Sequence, residues 1–368
     1  MAPRQARDRR EPSTPPTPLV RDFGRQGAGV RVRWDVRTTY DFVFSLSEDA
    51  GSTDDLPPED RRWLAKARAG LRDQVGDALD LYASEFCIVF AGLAVDRPDV
   101  TDAAGFLRLL NESSVQDIVS VVLAEDLRDP RNRERTEHAL AGDEAAMDAV
   151  ISEMAESHPR DKVARFRRLF TDPASIIDPA RNVVIRWLPF FAEIEPRVAA
   201  MLKRDYDLRA GDRATLEPAQ LIERTTGGVR WLSEPGVGRI ILAPSYFARP
   251  YNFVLGGDDW RVYGYPIADA ALDGADPLAP PQAVLRLHRA LGDDTRLRIL
   301  RLLRDQDYYL TEIAQRLELS KPTITHHLAL LRAAGLVTVV QEGGLSYYSL
   351  RRERLDDAST ELKRFLIG

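Results

Sequence analysis

Apolar residues recur at three- and four-residue intervals through most of the first 220 positions. Leu64, Ala67, Leu71, Val75, Ala78 and Tyr82 make one continuous stripe, the signature of an amphipathic helix. The same period predicts helices over 116–125, 143–156, 161–170 and 196–205, and prolines at 57, 58, 98, 130, 159, 173 and 179 punctuate the periodic segments. A further helix is predicted over 217–224, where Gly227-Gly228 supplies a left-handed stop. The period then shortens. Residues 229–232, 239–242, 251–255 and 260–265 are short β-prone runs, and Gly256-Gly257-Asp258-Asp259 is the turn of a hairpin between the last two.

The helical period returns at 282. A first helix is predicted over 282–291 and a second over 295–304 behind an Asp294 cap, with Leu297, Leu300 and Leu303 on one side. Thr311 is the expected cap of a third helix over 312–317. Ser320 caps a fourth that tolerates Pro322 in its first turn and ends at Gly335. Residues 337–341 and 346–350 pair around Gly343-Gly344 as a hairpin. Three helices, an outward-facing fourth and a hairpin are the order of a winged helix-turn-helix. On a 100° wheel Ile324, Leu328 and Leu331 share the inward face of the fourth helix, with His327 flanking them. Thr325, His326 and Ala329 point the other way, with Thr323 to one side. Short polar side chains suit a close approach to base edges, and Lys321 at the helix N-terminus suits phosphate. The expected DNA contacts are Lys321, Thr323, Thr325, His326, His327, Arg332, Tyr347 and Arg351. His327 is also read as a packed histidine at the core edge, and one ring of Tyr347-Tyr348 is expected to pack inward.

The runs LGDDTRLRILRLL, LTEIAQRLELSKPTITHHLALLRAAGLV and GGLSYYSL resemble the winged-helix domain of ArsR-type regulators, over residues 291–350. The resemblance implies a homodimer that represses promoters until a signal releases it. It also implies a dimer seam between the first and last helices of the domain, for which Val284, Leu287, Leu291, Leu355, Leu362, Phe365 and Leu366 are suitable. Many members of that family hold metals through cysteines near the helix that here begins at Thr311, or through histidines and acids on the last helix. DQDYYLTEIA has no Cys, and 355–365 has neither His nor Cys, so no metal of that kind is expected. Residues from roughly 30 to 268 resemble the uncharacterised N-terminal region of long ArsR-type proteins through IERTTGGVRW, ILAPSYFARPYNFVL and YGYPI, which brings no activity with it.

Charge sharpens this picture. The chain carries −6 overall, but residues 282–368 hold 14 Lys and Arg against 11 Asp and Glu, a net +3, which leaves −9 elsewhere. A mildly basic module on an acidic body can meet phosphate while discouraging indiscriminate binding. The longest apolar run, 86–94, is too short for a bilayer, and the N-terminus lacks a secretory h-region. The single cysteine, Cys87, reads as a small buried hydrophobe and fits a cytoplasmic protein. His138, His158, His288, His326 and His327 show no metal-ligand spacing beyond the adjacent pair, whose rings diverge on a helix. GxSxG, P-loop and HExxH patterns are missing, and the acidic residues read as solvated helix faces, so neither an enzyme nor a cofactor is expected. Tyr246, Phe247, Tyr251 and Phe253 read as core or, less favoured, as a small-molecule pocket; Trp63, Trp187 and Trp231 read as core.

The expected protein is mainly α with small β elements. It has a disordered tail (1–28), a mainly helical sensor domain with a short antiparallel sheet (29–268), a linker (269–281) and a C-terminal winged helix-turn-helix (282–368). The function expected is a homodimeric repressor on double-stranded DNA, answering to an unidentified small-molecule effector or partner at the N-terminal domain. The alternative is an enzymatic or ligand-binding N-terminal domain that uses the winged helix for localisation or protein interaction.

Overall fold

The computed structural model describes residues 30–367 except 49, 51–54, 131, 156–159, 235, 250, 273–279 and 343–344, and the architecture below is that of those residues. The tail expected over 1–28, the glycine turn at 343–344 and residues 273–279 of the expected linker lie outside them.

Helices follow the periodic segments: Val115–Val122, Glu144–Ala155, Arg160–Thr171, Glu195–Leu208 and Pro218–Thr225. The stripe from Leu64 to Tyr82 spans two helices. Pro58–Val75 ends at Gly76, which adopts φ +56°, and Ala78–Tyr82 follows. Pro179 does not punctuate as expected, because it lies inside the helix Ala174–Ala192 together with Pro189. An interior proline costs about 3 kcal/mol. That helix fully buries Ile176, Ile177, Val183, Val184, Trp187 and Phe191. At roughly 1.5–3 kcal/mol per large apolar side chain, packing outweighs the break. Trp187 and Trp231 are buried as expected, and Trp63 is half-buried beside Trp187. Cys87 is fully enclosed, and burial holds its thiol well above the ordinary range. No helix is long and apolar enough to cross a membrane among the described residues.

Eight strands form two sheets: β1 (Arg31–Trp34), β2 (Val229–Arg230), β3 (Arg239–Ser245), β4 (Phe253–Gly256), β5 (Trp260–Pro266), β6 (Tyr308–Tyr309), β7 (Val337–Glu342) and β8 (Leu345–Leu350). The first sheet has the order β1-β3-β5-β4. Its hairpin β4–β5 is antiparallel as predicted, but β1, β3 and β5 run parallel. The expectation of a short antiparallel sheet is therefore corrected to a mainly parallel one. The reason is burial on both faces: β3 and β5 are near-continuous buried runs, the mark of parallel strands covered above and below. Ile241, Ala243 and Val262 face the helical body, whereas Ile240, Leu242, Tyr263 and Tyr265 pack in a separate cluster with Ile222, Val229, Trp231 and Val339.

Val339 belongs to the C-terminal hairpin, so that second cluster is shared between the two halves of the chain. The second sheet is shared as well. Its order is β2-β7-β8-β6, with β2 parallel to β7 in the register Val229↔Val339 and Arg230↔Val340. Gly228 at φ +119° leads into the pairing, and its carbonyl accepts from the Val339 amide at 2.9 Å. A Cβ on Gly228 would sit 3.2 Å from the Val337 carbonyl oxygen. Gly228→Ala is therefore expected to lose about 1–3 kcal/mol of stability at the joint, the usual cost of a strained backbone conformation. Hydrogen exchange should accelerate at the Val339 amide and stay unchanged at Val262; unchanged exchange at Val339 would refute the placement.

Candidate nucleic-acid interface

The C-terminal unit is built from helices Gln282–Leu291, Asp294–Leu302, Leu310–Leu317, Lys321–Ala333 and Glu353–Ile367 with the strands β6, β7 and β8. Leu287, Ile299, Ile313, Ile324, Leu328, Leu331 and Leu336 are fully enclosed in its core. Two caps differ from the sequence expectation. Asp293 rather than Asp294 caps the second helix, its carboxylate accepting from the Arg296 amide at 2.9 Å. The third helix begins at Leu310, because Glu312 reaches back to the Tyr309 amide at 3.1 Å and satisfies a first-turn donor before Thr311 can act as cap. Ser320 caps the fourth helix, accepting from the Thr323 amide at 3.3 Å. Gly335, at φ +73°, ends it.

That fourth helix is divided along its length. In its N-terminal half Lys321, Thr323, Thr325 and His326 are exposed while Ile324 and Leu328 are buried. The Thr325 hydroxyl donates to the Lys321 carbonyl at 2.9 Å, and the Tyr251 hydroxyl lies 3.5 Å from His326 Nδ1. In the C-terminal half the body approaches, and Arg332 is half-buried.

The structure does not bring all eight expected contacts to one surface. Tyr347 is the buried member of the tyrosine pair. It lies edge-on to Tyr309 at 5.9 Å and in register with Val340, so it is corrected from a phosphate contact to a packing residue. Arg332, expected at DNA, is half-buried and lines a cavity against the body. His327 sits as its packed reading has it: its side chain is half-buried with Nδ1 3.8 Å from Asp293, and among the described residues no hydrogen-bond partner is found for that nitrogen. Arg351, half-buried, follows the wing, and its amide donates to the Leu336 carbonyl at 2.9 Å. The seam residues divide too. Val284 and Leu287 are buried within the chain, whereas Leu355 is 41 % and Leu366 68 % exposed. Tyr246 and Phe247 are core, Phe253 stacks on Phe44 at 4.5 Å, and Tyr251 alone of that aromatic group reaches the fourth helix.

Sequence reasoning missed the arginines that share a cavity with Arg332. Arg249 is enclosed, donating to the Ile267 carbonyl at 2.7 Å and to Asp269, and Arg286 donates to Asp269 at 2.7 Å and Asp55 at 3.1 Å. A single cation inside the apolar run ILAPSYFARPYNFVL was the available signal for Arg249, since a charge in such a run is buried only when paired.

Residues 293–339 match the family model described as bacterial regulatory protein, arsR family. The chain is 36% identical over 78 residues to the transcriptional repressor SdpR of Bacillus subtilis, covering 87% of that protein and 21% of this one. The chain belongs to the arsR family. It is also 36% identical over 80 residues to the transcriptional activator HlyU of Vibrio cholerae, covering 68% of HlyU and 22% of this chain. A solved structure of HlyU from Vibrio cholerae N16961 aligns with 32% identity over 24% of this chain and 95% of that one, with a TM-score of 0.20. The arsR-family match thus ends at the winged helix, and the body lies outside these relatives.

Burial is the largest influence on His327 and holds its pKa below the ordinary imidazole value, with Asp293 pulling the other way. Below roughly pH 6.5 the unfolded chain takes up this proton before the folded one does, so acid removes stability. Thermal melting of the arsR-family chain should fall as pH drops through that range, and His327→Gln should flatten the fall. A variant that tracks the wild type at every pH would sink this account.

Proposed function

We propose that this chain is a DNA-binding transcription regulator that works as a homodimeric repressor. The helix Lys321–Ala333 enters the major groove by its N-terminal half. One observation carries the reading: Lys321, Thr323, Thr325 and His326 stand exposed on a helix whose opposite face, at Ile324, Leu328 and Leu331, is fully enclosed. A polar face held rigidly by a buried one is what base reading requires. Thr325 and His326 read base edges, Lys321 and the helix N-terminus hold phosphate, and Arg351 adds a backbone contact from the end of the wing. The repressor assignment follows SdpR, and a regulator of the opposite sign, HlyU, marks the alternative.

Two copies set their recognition helices about one DNA turn apart, roughly 34–36 Å. Leu355, Leu366 and Ile367 on the last helix are exposed apolar residues, which supports pairing of that helix with its copy. Control comes from the body, which contacts the same helix through Tyr251 and through the wall around Arg332. Any ligand or partner that shifts the body therefore shifts the reading head, without touching DNA.

Binding of the full chain to a site selected from genomic DNA, measured over a salt series, tests this. Lys321→Ala should weaken all sequences alike and lower the salt slope by about one. His326→Ala should cost about 1–3 kcal/mol and relax preference at one base pair. Wild-type binding by both variants would show that the reading head has been misassigned.

A further inference from the structure

We infer that the joint between the body and the recognition helix is a binding site for a small oxyanion, a phosphate or carboxylate group, which acts as the effector. The inference rests on the regulator reading above and supplies its missing ligand class.

A cavity of about 170 Å³ lies there, walled by Arg209, Arg224, Arg249, Arg286, Arg332 and Thr225 among others, with no carboxylate-bearing residue in its lining. Four of these arginines have acids behind them. Arg209 donates to Asp205 at 2.9 Å, Arg224 to Asp212 at 3.0 Å, Arg249 to Asp269, and Arg286 to both Asp269 and Asp55. Arg332 has no acidic partner among the described residues, and burial pulls its pKa below the ordinary guanidinium value. One positive charge is thus left over in a half-enclosed space, where a charge without a counter-ion is costly.

Two residues of the same wall carry a further buried polar atom. Among the described residues, Arg249, only 1 % exposed, leaves its Nε without a partner, and the hydroxyl of the buried Thr225 has none either. An oxyanion in the cavity would supply the missing counter-charge, accepting from guanidinium N–H groups of its wall in charge-assisted hydrogen bonds. The topology agrees. Arg249 follows the carboxyl end of β3, and Ile267 and Ala268 follow that of the parallel β5, the side of such a sheet where ligands collect. Size narrows the class. Drug-sized ligands occupy roughly 300–1,000 Å³, so this cavity suits inorganic phosphate or a short carboxylate rather than a nucleotide. A duplex phosphate is the rival source of the same chemistry, but the enclosed Arg249 belongs to the body and not to the exposed half of the helix.

Titration calorimetry of the full chain with inorganic phosphate, and separately with succinate, tests the site in the absence of DNA. Saturable binding of either is expected, and Arg332→Gln should weaken it by about tenfold or more, since it removes a charge-assisted contact. Lys321→Ala should leave it unchanged while impairing DNA binding, which separates failure of this site from failure of the regulator reading. Absence of binding by either anion at about 10 mM, or wild-type binding by Arg332→Gln, overturns the inference.

Discussion

A strand of two residues decides how this molecule is assembled. β2 lies parallel to β7, and the Val339 amide donates to the Gly228 carbonyl at 2.9 Å. Around it Val229, Trp231, Ile222 and Val339 close an apolar cluster that continues into Tyr263 and Tyr265 of the first sheet. Without that pairing the outer edge of the wing would present unpaired N–H and C=O groups, a template for unwanted association. With it, the body covers the edge and takes a fixed position beside the recognition helix. The contact of Tyr251 with His326, and the cavity at Arg332, both depend on that position.

Inside the body, buried carboxylates hold the strand ends. Asp41 accepts from the Ser245 hydroxyl and from the amides of Tyr246 and Phe247 at 3.0 and 3.2 Å, and complete burial lifts its pKa to about 6 against those bonds. Asp205 accepts from the Tyr265 hydroxyl at 2.7 Å, the Ala268 amide at 2.8 Å and Arg209 at 2.9 Å. These groups pin the turns that leave β3 and β5, and those turns carry Arg249 and Asp269 to the joint. Reading every acid as part of a solvated helix face was therefore too simple. An acid bonded to two amides and a hydroxyl is a positioning device.

The winged helix was legible because its signals are local. Ser320 before Lys321-Pro322, the inward spacing of Ile324, Leu328 and Leu331, and Gly335 all act within one or two turns. Where the cap shifted by one residue, to Asp293, the rival was an equally good cap next door. What could not be read depends on distant chain. β1 is a four-residue run whose identity as a strand rests on pairing with β3, some 200 positions later. The cover over Arg332 was hidden because a helical wheel shows a face and not what lies against it, and the alternation at Tyr347-Tyr348 did not say which ring packs inward. Thr226-Gly227-Gly228-Val229 announced a turn, yet nothing local told which edge the strand after it would join.

The helix Lys321–Ala333, finally, is a lever held by its heel. Thirteen residues at 1.5 Å each make a rod of about 20 Å. The body lies against one end, around Arg332 and Ala333, and touches His326 through Tyr251, while Lys321, Thr323 and Thr325 stand exposed at the other end. A tilt of about 10° about the gripped end would carry the tip through about 3 Å, the whole length of a hydrogen bond. Amplification of that kind requires no large domain rotation, so a sub-ångström adjustment of a few guanidinium groups is mechanically sufficient to displace the tip by the reach of one contact.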